Sequence, residues 1–160
     1  MSHPSQGTTP RITTVQEYDG GPVARVSATQ LGTRYTAHQA RTVVEEWCDF
    51  FAAGPSSILD LGFTSRTPKR LFDSLRGQTQ LRRLGVKWGD YDNLDALAAM
   101  TDLRALHLGG ATRVQSLAPL ADLTLVEQLT VEGLLRVRDL SPLASLPQLR
   151  DLVVGGDWVA

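Results

Sequence analysis

Apolar residues in the second half of the chain recur with a period of 22–23 residues. Leu106, Leu129 and Leu152, for example, are each 23 residues apart. Within residues 97–108 the apolar positions fall three apart and then two apart, ending in Leu106-x-Leu108. The step of two predicts a short strand, and the steps of three predict a helical or 3₁₀ turn. Because one unit cannot bury its own leucines, the pattern predicts stacked units whose parallel strands form one sheet.

Two consecutive stretches carry a resemblance to a known family. They are LAAMTDLRALHLGGATRVQSLAPL at 97–120 and LADLTLVEQLTVEGLLRVRDLSPL at 120–143. Both resemble leucine-rich repeats of the bacterial internalin-like subclass, whose Leu-x-Pro-Leu stands here at 117–120 and 140–143. The resemblance implies an α/β solenoid with short parallel strands on the concave face and short helical or 3₁₀ turns on the convex face. It implies a binding scaffold rather than a chemistry.

The chain departs from the family at the position three residues after each strand. The family usually has an asparagine there, whose side chain bonds loop backbone along the stack. The corresponding residues here are Gly89, Ala111, Leu134 and Asp157. The asparagine ladder is therefore missing, and the resemblance does not specify the geometry of these loops.

Extending the period backwards predicts leucine-rich repeats over residues 58–160. Five strands are expected, near 58–61, 83–87, 105–109, 128–132 and 151–155. The chain then ends on GGDWVA. Either Trp158 and Val159 fold back over the last repeat, or a partner or a second copy covers that edge, since an uncovered strand edge invites pairing.

The first 57 residues lack this period. Residues 1–10 are polar and predict a disordered tail, and residues 11–57 predict an N-terminal cap. Asp19-Gly20-Gly21 between two β-rich runs predicts a β-hairpin over residues 11–28. Apolar residues at helical spacing predict a helix over 36–53, opened by a Thr36–Gln39 capping box. Hairpin and helix together are interpreted as the cap that covers the apolar end of the stack.

Charge is distributed unevenly along a chain whose formal net charge is only −1. Residues 66–87 hold seven basic residues and one acidic residue, whereas residues 88–160 hold ten acidic and five basic residues. This contrast favours a dipolar binding face, and an ordinary solvated surface is the alternative. The basic segment 66–87 also raises nucleic-acid binding as an alternative function, although few aromatic residues accompany it.

Sequence motifs for catalysis, metals and nucleotides are missing. There is no metal-ligand spacing, no phosphate-binding glycine loop and no Ser-His-Asp pattern. We therefore expect no cofactor, no metal and no enzymatic activity. The single cysteine, Cys48, excludes an internal disulfide and favours a reducing environment. With no apolar run near the ~20 residues of a membrane span and no apolar signal core, we expect a cytoplasmic protein without membrane contact.

The candidate binding residues are those at outward positions of the predicted strands and just beyond them. They are Arg83, Lys87, Trp88, His107, Gln128, Thr130, Glu132 and Asp151. Trp88, beside Tyr91, is the expected aromatic anchor, and the alternative is that Trp88 packs under its loop. Asp60 or Glu132 is expected to approach His107.

The resulting functional hypothesis is a protein–protein interaction module that binds a partner protein on its concave face. An adaptor and a toxin-neutralising immunity protein are two roles that would fit a small bacterial repeat protein. The alternatives are nucleic-acid binding through residues 66–87 and a structural homo-oligomer formed through the C-terminal edge.

Overall fold

The structure is a computed structural model and describes residues 9–155. Its core is one seven-stranded sheet in which the strands follow one another in chain order, and all neighbours are parallel. The strands are β1 Arg11–Ile12, β2 Val23–Val26, β3 Asp60–Thr67, β4 Arg83–Gly89, β5 Ala105–Leu108, β6 Gln128–Val131 and β7 Asp151–Val154. Two helices, α1 Ala37–Ala52 and α2 Lys69–Asp73, complete the regular elements together with short 3₁₀ turns. This architecture confirms the predicted α/β leucine-rich repeat solenoid.

Residues that are one period apart in the sequence, 22 or 23 positions, are partners on neighbouring strands of the sheet. Leu61, Leu84, Leu106, Leu129 and Leu152 are consecutive partners across β3 to β7. The first four of these leucines are fully buried, whereas Leu152 on the last strand is 46% exposed. The predicted stacking of units is therefore what buries the leucine side chains.

Short 3₁₀ turns line the side of the core opposite the sheet. They are Asp95–Leu97, Ala118–Leu120 and Ser141–Ser145. The prolines of the two Leu-x-Pro-Leu motifs stand in the first turn of the last two. That position suits proline because its fixed φ fits the turn and its missing N–H is not needed there.

The β-hairpin predicted over residues 11–28 is wrong. β1 and β2 run parallel, with Arg11 opposite Arg25 and Ile12 opposite Val26. A 3₁₀ turn at Val15–Glu17 and the bend at residues 19–22 carry the chain back to the start of β2. The glycine-rich bend therefore belongs to a crossover that adds two strands to the repeat sheet.

The predicted helix over residues 36–53 is confirmed as α1, Ala37–Ala52. The capping box forms as expected, because the Gln39 N–H donates to Thr36 Oγ1 over 3.1 Å and the Thr36 N–H donates to Gln39 Oε1 over 2.8 Å. The helix links the parallel strands β2 and β3 and buries Trp47 and Phe51 completely. The Trp47 indole N–H donates to the Thr13 carbonyl over 2.7 Å, which ties the helix to the first crossover.

Other groups take over the role of the missing asparagines between neighbouring loops. The buried Tyr91 hydroxyl donates to the Gly109 carbonyl over 2.6 Å. Backbone N–H groups do the same along the stack, from Ala111 to Glu132 over 2.9 Å and from Leu134 to Gly155 over 3.0 Å. Residues 1–8 of the predicted tail, together with Asp157, Trp158 and Val159, lie outside the described residues.

Candidate functional site

The outward side chains of the strands form one concave surface. Arg83, Ala105, Gln128 and Asp151 are partners in one column, and Gly85, His107, Thr130 and Val153 are partners in the next. A cavity of about 490 Å³ lies over the middle of this surface. Five of the eight candidate residues line the cavity, namely Arg83, Lys87, His107, Gln128 and Thr130.

Two glycines form the floor of this concave cavity. Gly62 on β3 and Gly85 on β4 are direct partners in the sheet. Part of the Arg25 side chain covers Gly62, whereas the space above Gly85 is open, with no atom within 4 Å of where a Cβ would stand. The cavity floor is therefore open at Gly85, and a larger side chain there would occupy part of the cavity.

One ion pair neutralises part of the charge on this surface, and a histidine contacts a further carboxylate. The Arg25 guanidinium donates to both carboxylate oxygens of Asp60, over 2.9 and 3.1 Å. His107 Nε2 lies 3.2 Å from Glu132 Oε1. Glu132 is therefore the one of the two expected carboxylates, Asp60 and Glu132, that approaches His107. Asp60 is therefore occupied by arginine and does not reach His107 as its partner.

Arg83 and Lys87 differ from these paired groups. Both side chains are exposed, and within residues 9–155 neither has a carboxylate oxygen within 4.0 Å. They stand on either side of Gly85, so the open part of the cavity is flanked by two uncompensated positive charges. Such a site attracts anionic groups and repels cations.

Trp88 and Tyr91 do not form the expected aromatic pair. The Trp88 side chain is 39% exposed and lies beyond the cavity lining, with its Cβ close to Gly110. Tyr91 is buried, stacks on Phe72 at a ring distance of 4.5 Å, and its pKa is raised by burial. Trp88 alone is therefore available on the surface, near the carboxyl end of β4.

Sequence reasoning missed a row of arginines at the amino ends of the strands. Arg82 and Arg104 immediately precede β4 and β5, and the Arg104 N–H donates to the Arg82 carbonyl over 2.7 Å. Together with Arg83 they line a second hollow of about 390 Å³ that adjoins the first cavity. Their 22-residue spacing, which matches the repeat, was the signal that could have identified them.

The basic segment 66–87 is less basic in the folded protein than in the sequence. Arg66 pairs with Asp90, and Lys69 pairs with Asp73 at 3.0 Å and with Asp92 at 3.1 Å. The Lys69 ammonium in turn lowers the pKa of Asp92. Arg70 also lies 3.7 Å from Glu45, so four carboxylates neutralise part of the segment. The basic residues of the segment that have no carboxylate oxygen within 4.0 Å among residues 9–155 are Arg76, Arg82, Arg83 and Lys87.

Residues suited to catalysis are sparse in the part of the chain that the structure describes. No group of three or more His, Cys, Asp or Glu side chains within residues 9–155 is arranged to hold a metal ion. Cys48 is half-buried on α1, and burial raises the pKa of its thiol, which disfavours the reactive thiolate. The helices of the described region include none long and apolar enough to cross a bilayer.

Comparison with known proteins gives structural neighbours only. No protein-family model and no curated protein matches the chain. Among solved structures, internalin C2 from Listeria monocytogenes str. 4b F2365 is similar with a TM-score of 0.52 and 22% identity. The internalin InlF from the same strain is similar with a TM-score of 0.58 and 18% identity. The fold is an internalin-like leucine-rich repeat.

The leucine-rich repeat seen here corresponds to only part of those internalins. The alignment covers 61% of this chain and 52% of internalin C2, and 83% of this chain and 34% of InlF. At these levels of identity the likeness is one of fold.

Proposed function

We propose that this leucine-rich repeat solenoid is a non-enzymatic module that binds a partner protein on its concave face. The observation that supports the proposal is the concave cavity over Gly85, with exposed charged and polar side chains from β4, β5 and β6 around it. A rigid sheet of this kind presents its side chains without a large ordering cost on binding. The remaining candidates, Trp88, Glu132 and Asp151, would extend the contact beyond the cavity lining.

The finer role that we propose is that of an adaptor or a toxin-neutralising immunity protein in a bacterial cytoplasm. Both roles need a small, stable binding surface and no chemistry, which suits the absence of catalytic motifs in the sequence. The single cysteine suits a reducing compartment.

A second candidate function, self-association through β7, has a specific observation in its favour. Two apolar side chains of this outermost strand, Leu152 and Val153, are 46% and 55% exposed. A second copy that paired with β7 would bury them. Nucleic-acid binding is less well supported, because Arg66 and Lys69 are already paired with aspartates.

The test of the main proposal is affinity capture from native lysate. Wild type and a Lys87→Glu, Trp88→Ala double variant would be compared, and retained species identified by mass. We expect a stoichiometric protein that only the wild type retains. Equal retention by both would place binding away from the carboxyl end of β4, and retention by neither would contradict the proposed function.

A further inference from the structure

We infer that the protein partner presents an acidic segment to a basic surface formed by Arg82, Arg83, Lys87 and Arg104. This inference rests on the proposed function and specifies the chemistry of the partner. The four residues, here called the basic surface, line the two adjoining hollows at the start and middle of β4 and β5.

Arg82, Arg83 and Arg104 are close neighbours, and Lys87 lies four positions further along β4 than Arg83. Arg82 and Arg104 are joined by a backbone hydrogen bond between adjacent strands, so their Cα atoms lie about 5 Å apart. Arg83 is the next residue along β4 and pairs with Ala105. All four side chains are exposed, and none has a carboxylate oxygen within 4.0 Å among residues 9–155.

The acidic residues that line the two hollows, Asp60 and Glu127, already have arginine partners. Asp60 is held by Arg25 through two hydrogen bonds. Glu127 lies 3.7 Å from Arg150, and Glu132 lies 3.2 Å from His107. The net positive charge of the basic surface is therefore not cancelled by its own neighbours.

Stacking like charges on adjacent strands carries an energetic cost. Opposite charges in such positions stabilise a sheet and like charges destabilise it. Elsewhere in the same chain an aspartate pairs with Arg66 and another pairs with Lys69. A carboxylate on a neighbouring strand or loop can therefore compensate a basic residue in this fold. An anionic ligand from outside would provide the missing compensation at the basic surface.

A protein segment fits this surface better than a nucleic acid does. Single-stranded nucleic acids need several aromatic side chains on which successive bases stack, and none of the residues lining the two hollows is an exposed Phe, Tyr or Trp. Glu132 directly follows β6, the strand next to β5, and Asp151 begins β7, one strand further on, so both would repel a polyanion that extends past β5. A short acidic segment of the partner protein that does not extend past β5 avoids this repulsion.

The test is a binding titration by fluorescence anisotropy at low ionic strength. The probe is a labelled octapeptide of alternating glutamate and glycine, and the comparison ligands are the corresponding lysine–glycine peptide and octathymidylate. We expect saturable binding of the acidic peptide alone. An Arg83→Gln, Arg104→Gln variant should weaken it about five- to twentyfold, as expected for two exposed ionic contacts.

The control is an Arg136→Gln, Arg138→Gln variant, which removes two exposed arginines from the loop after β6. Its affinity for the acidic peptide should equal that of the wild type, and circular dichroism should show that both variants are folded. Equal weakening by both variants, no saturable binding, or tighter binding of octathymidylate would overturn the inference. If lysate capture still depends on Lys87 and Trp88 while the acidic peptide does not bind, the inference fails and the proposed function stands.

Discussion

Gln78 is the polar side chain whose replacement should cost this fold most. It is completely buried beside the end of α1. Its amide nitrogen donates to the carbonyls of Phe51 and Gly54, over 2.8 and 2.6 Å. Its amide oxygen accepts from the Ser56 N–H over 3.2 Å and from the Ser56 hydroxyl over 2.8 Å. One side chain therefore fixes the loop that joins α1 to the first long strand.

The Gln78→Met variant removes these hydrogen bonds while keeping a side chain of similar length and volume. It leaves the Gly54 carbonyl and the Ser56 N–H without the partner that the glutamine amide supplies. Each buried polar group that loses its partner costs about 1–3 kcal/mol, so we expect a loss of about 2–4 kcal/mol in the free energy of unfolding. For a chain of this size that corresponds to a fall in Tm of roughly 5–15 °C.

The assay is urea and thermal unfolding followed by circular dichroism. The matched control is Gln115→Met, because Gln115 is exposed and the same replacement there should change stability by less than about 0.5 kcal/mol. A Gln78→Met variant as stable as the control would refute the account of how α1 is joined to the repeats.

Three further predictions address the stack of repeats. Tyr91→Phe should cost about 1–3 kcal/mol in urea unfolding by removing the hydroxyl that bonds the Gly109 carbonyl. Because burial raises the pKa of Tyr91 above its ordinary 10.0, wild-type stability should fall as pH rises past that value, and it should fall less in Tyr91→Phe. Gly109→Ala should destabilise by about 2 kcal/mol or more in the same assay, because its Cβ would collide with the Lys87 carbonyl oxygen, whereas Gly85→Ala should be tolerated because the space there is open. If copies associate through β7, the Val153→Lys substitution should prevent that association, and light scattering should give the mass of a monomer. A dimer mass unchanged from wild type would count against association through that edge.

The 22–23-residue period was sufficient to predict four of the five expected strands, whereas the segment expected at 58–61 covers only the first two residues of β3, Asp60–Thr67. The expected segments 83–87, 105–109, 128–132 and 151–155 agree with β4 to β7 within two residues at either end. In these segments the burial of alternate leucines fixes both the strand and the side that faces the core. The same logic correctly placed Arg83, His107 and Thr130 on the concave face.

The N-terminal strands could not be predicted in this way. β1 has only two residues, too few for alternation to be visible, and its parallel pairing with β2 depends on a crossover. The Asp-Gly-Gly signal for a turn was present, but a turn signal does not specify the direction in which the next strand pairs. The hairpin prediction failed for that reason.

Residues at and beyond the carboxyl ends of β3 and β4 were also predicted poorly. Trp88 and Tyr91 are three positions apart in the sequence, yet one lies on the surface and the other in the core, because the alternation of buried and exposed residues stops after Val86, within β4. Counting charge by segment likewise missed the pairing of Arg66 with Asp90, which are 24 positions apart and meet only when the repeats stack. Counting charge at equivalent positions of successive repeats would have grouped Arg82 with Arg104, which are 22 positions apart.

The central claim is that the concave face recognises a protein, and filling its cavity tests that claim most directly. Gly85→Leu places an apolar side chain in the open space over the cavity floor without changing charge. The matched control is Ala144→Leu, at an exposed position in the 3₁₀ turn on the opposite side of the core. The measurement is calorimetric titration of each folded variant with the stoichiometric protein recovered by lysate capture. We expect Gly85→Leu to weaken binding at least tenfold, with the control equal to wild type; unchanged affinity in both would contradict recognition by the concave face.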